Sequence, residues 1–146
     1  MTYLHKSAAA LLIAALSGTA LTPAAAQAPK PLKAEAAAAV AAQAKDIQVM
    51  VDTVFSFAEP GFQEKRTSAY LADILEKNGF KVERGVAGMP TAFVATWGSG
   101  GPLIALGSDI DGLLGLSQVP GITEQKPLVA GAPGHGEGHN SGMPLM

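Results

Sequence analysis

Thr91-Ala92-Phe93-Val94-Ala95-Thr96-Trp97 runs into Gly98-Ser99-Gly100-Gly101, and then into Pro102-Leu103-Ile104-Ala105-Leu106-Gly107-Ser108-Asp109-Ile110-Asp111. The first segment is rich in β-formers, the last begins as a short apolar run, and the glycines between them suit a tight turn. Two apolar segments joined in this way predict strands that form a hairpin or lie side by side in one sheet. Just upstream, Phe80, Val82 and Arg84 alternate with Lys81, Glu83 and Gly85, which predicts a further strand.

Before the strands come two helical stretches. The first is expected over residues 34–59. Its opening half is nearly all alanine, and its second half places Ile47, Val51, Val54 and Phe55 on one face before Pro60-Gly61 ends it. The second is expected over residues 64–77, with Tyr70, Leu71, Ile74 and Leu75 as its apolar face. Glu64 stands in its first turn and Lys77 in its last, as the helix dipole prefers, and Asn78-Gly79 is the stop. From Ser108 to Met146 the chain is dense in glycine and proline and reads as loop. Helices followed by strands and loop predict a mixed α/β (α+β) fold.

The first residues do not read as mature structure. Lys6, an apolar run from Ala8 to Leu21, and the small residues Ala24, Ala26 and Ala28 have the layout of a secretory signal peptide over residues 1–26. The apolar run is about 14 residues, shorter than the ~20 a spanning helix needs, so no membrane span is expected in the mature form. Pro29 and Pro31 mark an extended linker over residues 27–34, and residues 35–146 form the domain. The expected destination is the periplasm or the exterior. Of ten Lys/Arg and twelve Asp/Glu, only Lys6 falls in the leader, so the remainder carries a net charge near −3. No basic stripe exists for nucleic acid to recognise. The chain has no cysteine, which excludes disulfides and thiolate ligands.

Two places carry candidate chemistry. Asp109 and Asp111 follow the apolar run directly, and at i, i+2 in extended backbone they face the same way. They read either as a functional carboxylate pair at a strand end or as a solvated pair capping the next turn. Gly134-His135-Gly136-Glu137-Gly138-His139-Asn140 holds the only histidines outside the leader. In extended form its three polar side chains line one side, and two imidazoles with a carboxylate suit Zn, Mn, Co or Ni. The other reading is a flexible polar loop that binds metal only adventitiously. Three donors from one loop leave a site short of ligands.

These residues carry a resemblance. Phe57-Ala58-Glu59-Pro60-Gly61-Phe62-Gln63-Glu64 resembles the opening turn of the M20-type metal-dependent amidohydrolases. Residues 85–95 resemble the next strand entry of one branch, the aminobenzoyl-glutamate hydrolase B-like proteins. Asp109-Ile110-Asp111-Gly112-Leu113-Leu114-Gly115-Leu116-Ser117-Gln118 is similar to that branch's EYDALPGLSQ segment, and residues 134–140 to its GHGCGHN segment. The likeness covers residues 40–146.

The resemblance implies the first half of a zinc-peptidase-like catalytic domain: two helices, then sheet strands and a glycine-rich metal loop. It implies one or two divalent ions, Zn or Mn, and hydrolysis of an amide bond in an N-acyl or aminobenzoyl amino acid or small peptide. By motif position Glu137, His139 and Asp109 are the metal ligands, Asp111 is the catalytic-site residue that orients a ligand, and His135 has no assigned role. Glu137 stands where the branch has cysteine, Asp109 where it has glutamate, and Leu114 where it has proline. The family's paired glutamates, its further histidines and its dimerisation domain follow the glycine-rich motif. The chain is therefore expected to be an amino-terminal part, inactive alone, of a homodimeric enzyme. The competing expectation is a small exported protein that binds a metal or a partner without catalysis.

Overall fold

A computed structural model describes residues 30–146, so the expected leader lies outside the described residues. Among those residues there are four α-helices, one 3-10 turn and one two-stranded antiparallel sheet, which makes the fold mixed α/β. No described helix is long and apolar enough to cross a membrane.

Helix α1 (Lys30–Ala42) and helix α2 (Ala44–Phe57) replace the single long helix expected from the sequence. The break falls at Gln43, whose ψ of −1° departs from helical geometry. The expected linker is also corrected, because its residues 30–33 are the first turn of α1. Proline at the second position of a helix loses no hydrogen bond, since that N–H has no intrahelical acceptor. Alanine propensity holds α1, which buries none of its residues. The apolar face of α2, by contrast, places Val54 in the core.

Helix α3 (Lys65–Lys77) buries Thr67, Ser68, Leu71 and Ala72. Its first turn is capped from a distance. The Glu59 carboxylate accepts the N–H groups of Arg66 and Thr67 at 2.9 Å each, and the Thr67 hydroxyl at 3.0 Å. A carboxylate there satisfies orphan donors and meets the positive end of the helix dipole. Glu64 is the residue that precedes α3, and its side chain makes no capping bond.

Strand β1 (Lys81–Arg84) pairs antiparallel with β2 (Phe93–Thr96), Lys81 opposite Thr96 and Arg84 opposite Phe93. The expected hairpin partner of β2 is thus corrected. Residues 102–107 are not strand, and Leu103, Ile104 and Leu106 are 86%, 81% and 70% exposed. An apolar run becomes a strand only where a ladder and a cover meet it, and among the described residues neither does. The expected loop from Ser108 onward is corrected at its end by helix α4 (His139–Leu145), which packs on α2. The apolar core is small: Val54, Leu71 and Ala72 are its buried members.

Candidate functional site

Two isolated backbone pairings assemble the site. The N–H of Gly112 donates to the Glu59 carbonyl at 2.7 Å, in a parallel bridge between Pro60 and Gly112. Leu113 and Gly134 exchange both of their hydrogen bonds, at 2.9 and 3.0 Å. The segment carrying Asp111 is thereby clamped between the end of α2 and the start of the histidine-bearing stretch. Only glycine fits at residue 134, where a Cβ would strike the backbone carbonyl of Leu116. At Gly138 the backbone turns with φ of 97°, a left-handed value that favours glycine, and α4 begins at His139.

The structure brings His135, Glu137, His139, Asp109 and Asp111 into one neighbourhood. The stretch is not extended throughout, since His139 already belongs to α4. His139 Nδ1 lies 2.9 Å from Asp111 Oδ1. A carboxylate only accepts, so the imidazole donates from Nδ1 and leaves the Nε2 lone pair free. That is the orientation in which a carboxylate prepares a histidine for a metal. Nε2 faces Asp109 Oδ2 at 3.8 Å, and Glu137 Oε1 stands 3.3 Å from Nδ1. Asp109 is 82% exposed, whereas the Asp111 and Glu137 side chains are largely covered.

His135 points inward. Its side chain is 1% exposed, its ring lies against Phe55, and Nε2 lies 3.3 Å from the Val54 carbonyl. Burial pushes its pKa below the usual 6.5, while the Val54 hydrogen bond and the Glu137 charge pull less strongly upward.

The donor types suit a divalent cation. Taken as a pair, His139 Nε2 and Asp109 Oδ2 stand 3.8 Å apart, within the roughly 3 to 4 Å between two ligands of one ion. Among the described residues, though, no three donors are already placed around a single point. The reason is visible at His139: Asp109 lies at one ring nitrogen and Glu137 at the other.

Beside Asp109 and Asp111 opens a cleft of about 370 Å³, also lined by Gly61, Glu64, Met89 and Thr91. Glu64 is nearly buried and accepts the Thr91 hydroxyl at 2.7 Å. The sequence marks Val54 as a buried helix residue and Glu64 as a first-turn charge, but it marks no site contact for the Glu59 carboxylate, the Val54 carbonyl or the Glu64–Thr91 pair. Each acts through a contact with a residue distant in sequence or through a backbone atom, and no local motif signals either.

No family profile and no solved structure matches the chain. Among curated proteins, the chain is 41% identical over 91 residues to a subunit of the p-aminobenzoyl-glutamate hydrolase of Escherichia coli (strain K12). The match covers 62% of this chain and 19% of that protein, so the chain spans about a fifth of its relative's length. Over the stretch the two share, the chain is similar to that hydrolase subunit.

Proposed function

We propose that this chain supplies part of the active site of an exported, metal-dependent amidohydrolase. Its substrate is an N-acyl or aminobenzoyl amino acid, or a small peptide, cleaved at an amide bond. One observation carries the reading: Asp111 holds the His139 imidazole by Nδ1 at 2.9 Å and leaves Nε2 free as a ligand. The relative's name, that of a hydrolase, supports the reaction class.

The chemistry that zinc or manganese would supply, when bound, is polarisation of an amide carbonyl and a lowered pKa for a bound water. Toward such ions His139 offers Nε2, Asp109 an exposed carboxylate beside it, and Glu137 a carboxylate in the position of the branch's cysteine. Asp111 fixes the tautomer and direction of His139. The cleft beside Asp109 and Asp111 receives the substrate. Among the described residues the donors do not close around an ion. The 146 residues alone are therefore expected to bind metal weakly and to turn over no amide. The working form is a periplasmic or secreted homodimer.

Calorimetric titration of the purified chain with Zn²⁺ tests this. Binding that disappears in His139→Ala is the expected result. Absence of binding in the unaltered chain sinks the metal-dependent reading, and amide turnover by the isolated chain sinks the incomplete-site reading.

A further inference from the structure

Glu64 has no role in the reading above, yet it is the most enclosed carboxylate of the cleft beside Asp109 and Asp111, at 9% exposed. Its Oε2 accepts the Thr91 hydroxyl at 2.7 Å, and its Oε1 has no hydrogen-bond partner among the described residues. Oε1 is not sealed away, because the one buried side-chain nitrogen or oxygen left unpaired among those residues is His135 Nδ1. It therefore opens to solvent, and the opening that Glu64 lines is the cleft. The other two carboxylates are engaged differently. Asp111 accepts the His139 N–H, and Asp109 is exposed and faces His139 Nε2. Glu64 pairs with no Lys, Arg or His among the described residues, and no Lys or Arg lines the cleft. So enclosed a carboxylate, with one oxygen open and no cationic partner, calls for an N–H donor. The neighbouring walls are apolar, with Phe62, Met89 and Ile110 among them. Phe62 holds a φ of 62°, a left-handed backbone that bulky side chains rarely adopt, and its ring stands 75% exposed at the cleft. An aromatic face there adds attraction for an ammonium group.

We propose that Glu64 is a specificity-determining residue. Through Oε1 it receives the amine or ammonium N–H of a substrate group whose apolar body lies against Phe62 and Met89, and it rejects a carboxylate in that place. The inference deepens the reading above and rests on its assignment of this cleft to the substrate. The direction follows from charge. Three carboxylates and no Lys or Arg line the cleft, so an entering anion meets like charge, and an ammonium meets opposite charge where enclosure strengthens the hydrogen bond. Thr91 is the positioning residue, because its hydroxyl holds Oε2 and so presents Oε1. The carboxylate end of an N-acyl amino acid therefore lies outside this cleft.

The competing role for Glu64 is to tie the start of α3 to the entry of β2 through Thr91 and nothing more. Glu64→Gln separates the two, since its amide oxygen still accepts from Thr91 while the charge is gone. The full chain, with ¹³C-labelled methionine methyls, is titrated at neutral pH and without metal, with benzylamine, benzoate and benzyl alcohol in turn. Met89 and Met143 line the cleft and report entry. Benzylamine should bind at least about tenfold more tightly than benzoate, and Glu64→Gln should lower benzylamine affinity about tenfold while leaving that of benzyl alcohol unchanged. Asp109→Asn, which removes an exposed charge, should lower it less. Benzoate bound as tightly as benzylamine overturns the proposal and leaves the cleft standing as the substrate site. So does unaltered benzylamine affinity in a folded Glu64→Gln. No response of either methyl to any probe overturns both the proposal and the assignment of the cleft, while the zinc titration above, made without probes, judges the metal reading separately. If Glu64→Gln does not fold, the side-chain carboxyl ¹³C resonance of Glu64 in the unaltered chain decides. Movement with benzylamine and not with benzyl alcohol upholds the proposal, and any other pattern overturns it.

Discussion

The Nε2–H of His135 meets the carbonyl of Val54 at 3.3 Å, across 81 residues of sequence, and pins the histidine-bearing stretch to the last turn of α2. The same carbonyl also receives the N–H of Ala58, which closes the helix in a left-handed turn. One carbonyl near the helix end thus serves both the closure of the helix and the anchoring of the site.

This buried imidazole makes stability depend on pH. Burial holds its pKa below 6.5, so between the folded and unfolded values the unfolded chain binds more protons. The stability it contributes is complete above about pH 6.5 and is lost as pH falls through the folded value. Urea midpoints at about pH 7.5 and about pH 5.5, on either side of the ordinary histidine pKa, should fall apart in the unaltered chain and lie closer together in His135→Gln. Equal drops in both chains would assign the pH dependence to other groups.

Glu59→Ala removes the side chain that caps the first turn of α3. Loss of a helix cap costs about 1–2 kcal/mol, and urea denaturation should register that amount. Glu59→Gln keeps an acceptor without the charge and should lose less.

Gly134→Ala forces a Cβ into the Leu116 carbonyl, and backbone has no rotamer by which to yield. The cost should be roughly 1–3 kcal/mol, the usual range for overpacking. Zinc affinity should fall with it, because residue 134 sets the direction in which the chain reaches His135. Alanine tolerated with unchanged affinity would show that the Leu113–Gly134 pairing does not position the site.

Asp111→Ala frees the His139 ring to change tautomer and to turn. Removal of such an orienting partner lowers metal affinity by about 10–100-fold, measurable by zinc titration. Unchanged affinity would mean that His139 does not ligate from Nε2.

Glu137→Cys should shift metal preference. A thiolate is softer than a carboxylate and favours zinc over manganese, so the ratio of zinc to manganese affinity should rise at least about tenfold. A ratio that stays level would place residue 137 outside the metal's reach.

Much of this was legible because periodicity is local. Val54 and Leu71 declare buried helix faces within a few residues, the alternation at 80–85 and the β-formers at 91–97 declare strands, and those elements form close to where they are expected. Residues 102–107 misled for the complementary reason. An apolar run states a need for burial but not whether cover arrives, and Leu103 and Ile104 remain exposed. Helix α4 was hidden by Gly138, Gly142 and Pro144, poor helix formers whose cost is offset by packing on α2. In the site, the spacing of His135, Glu137 and His139 pointed to one cluster. What each nitrogen does depends on Asp111, 28 residues from His139, and on Val54, and such long-range partners leave no trace in local pattern.

Glu59 has one further consequence. Its side chain holds the first turn of α3 while its own carbonyl holds Gly112, next to Asp111. One residue therefore works as a two-ended clasp. Whatever steadies Asp111 from the site should quiet the opening of α3, so zinc should slow hydrogen exchange at the Arg66 and Thr67 amides. The helix thereby becomes a remote gauge of how firmly the site is held.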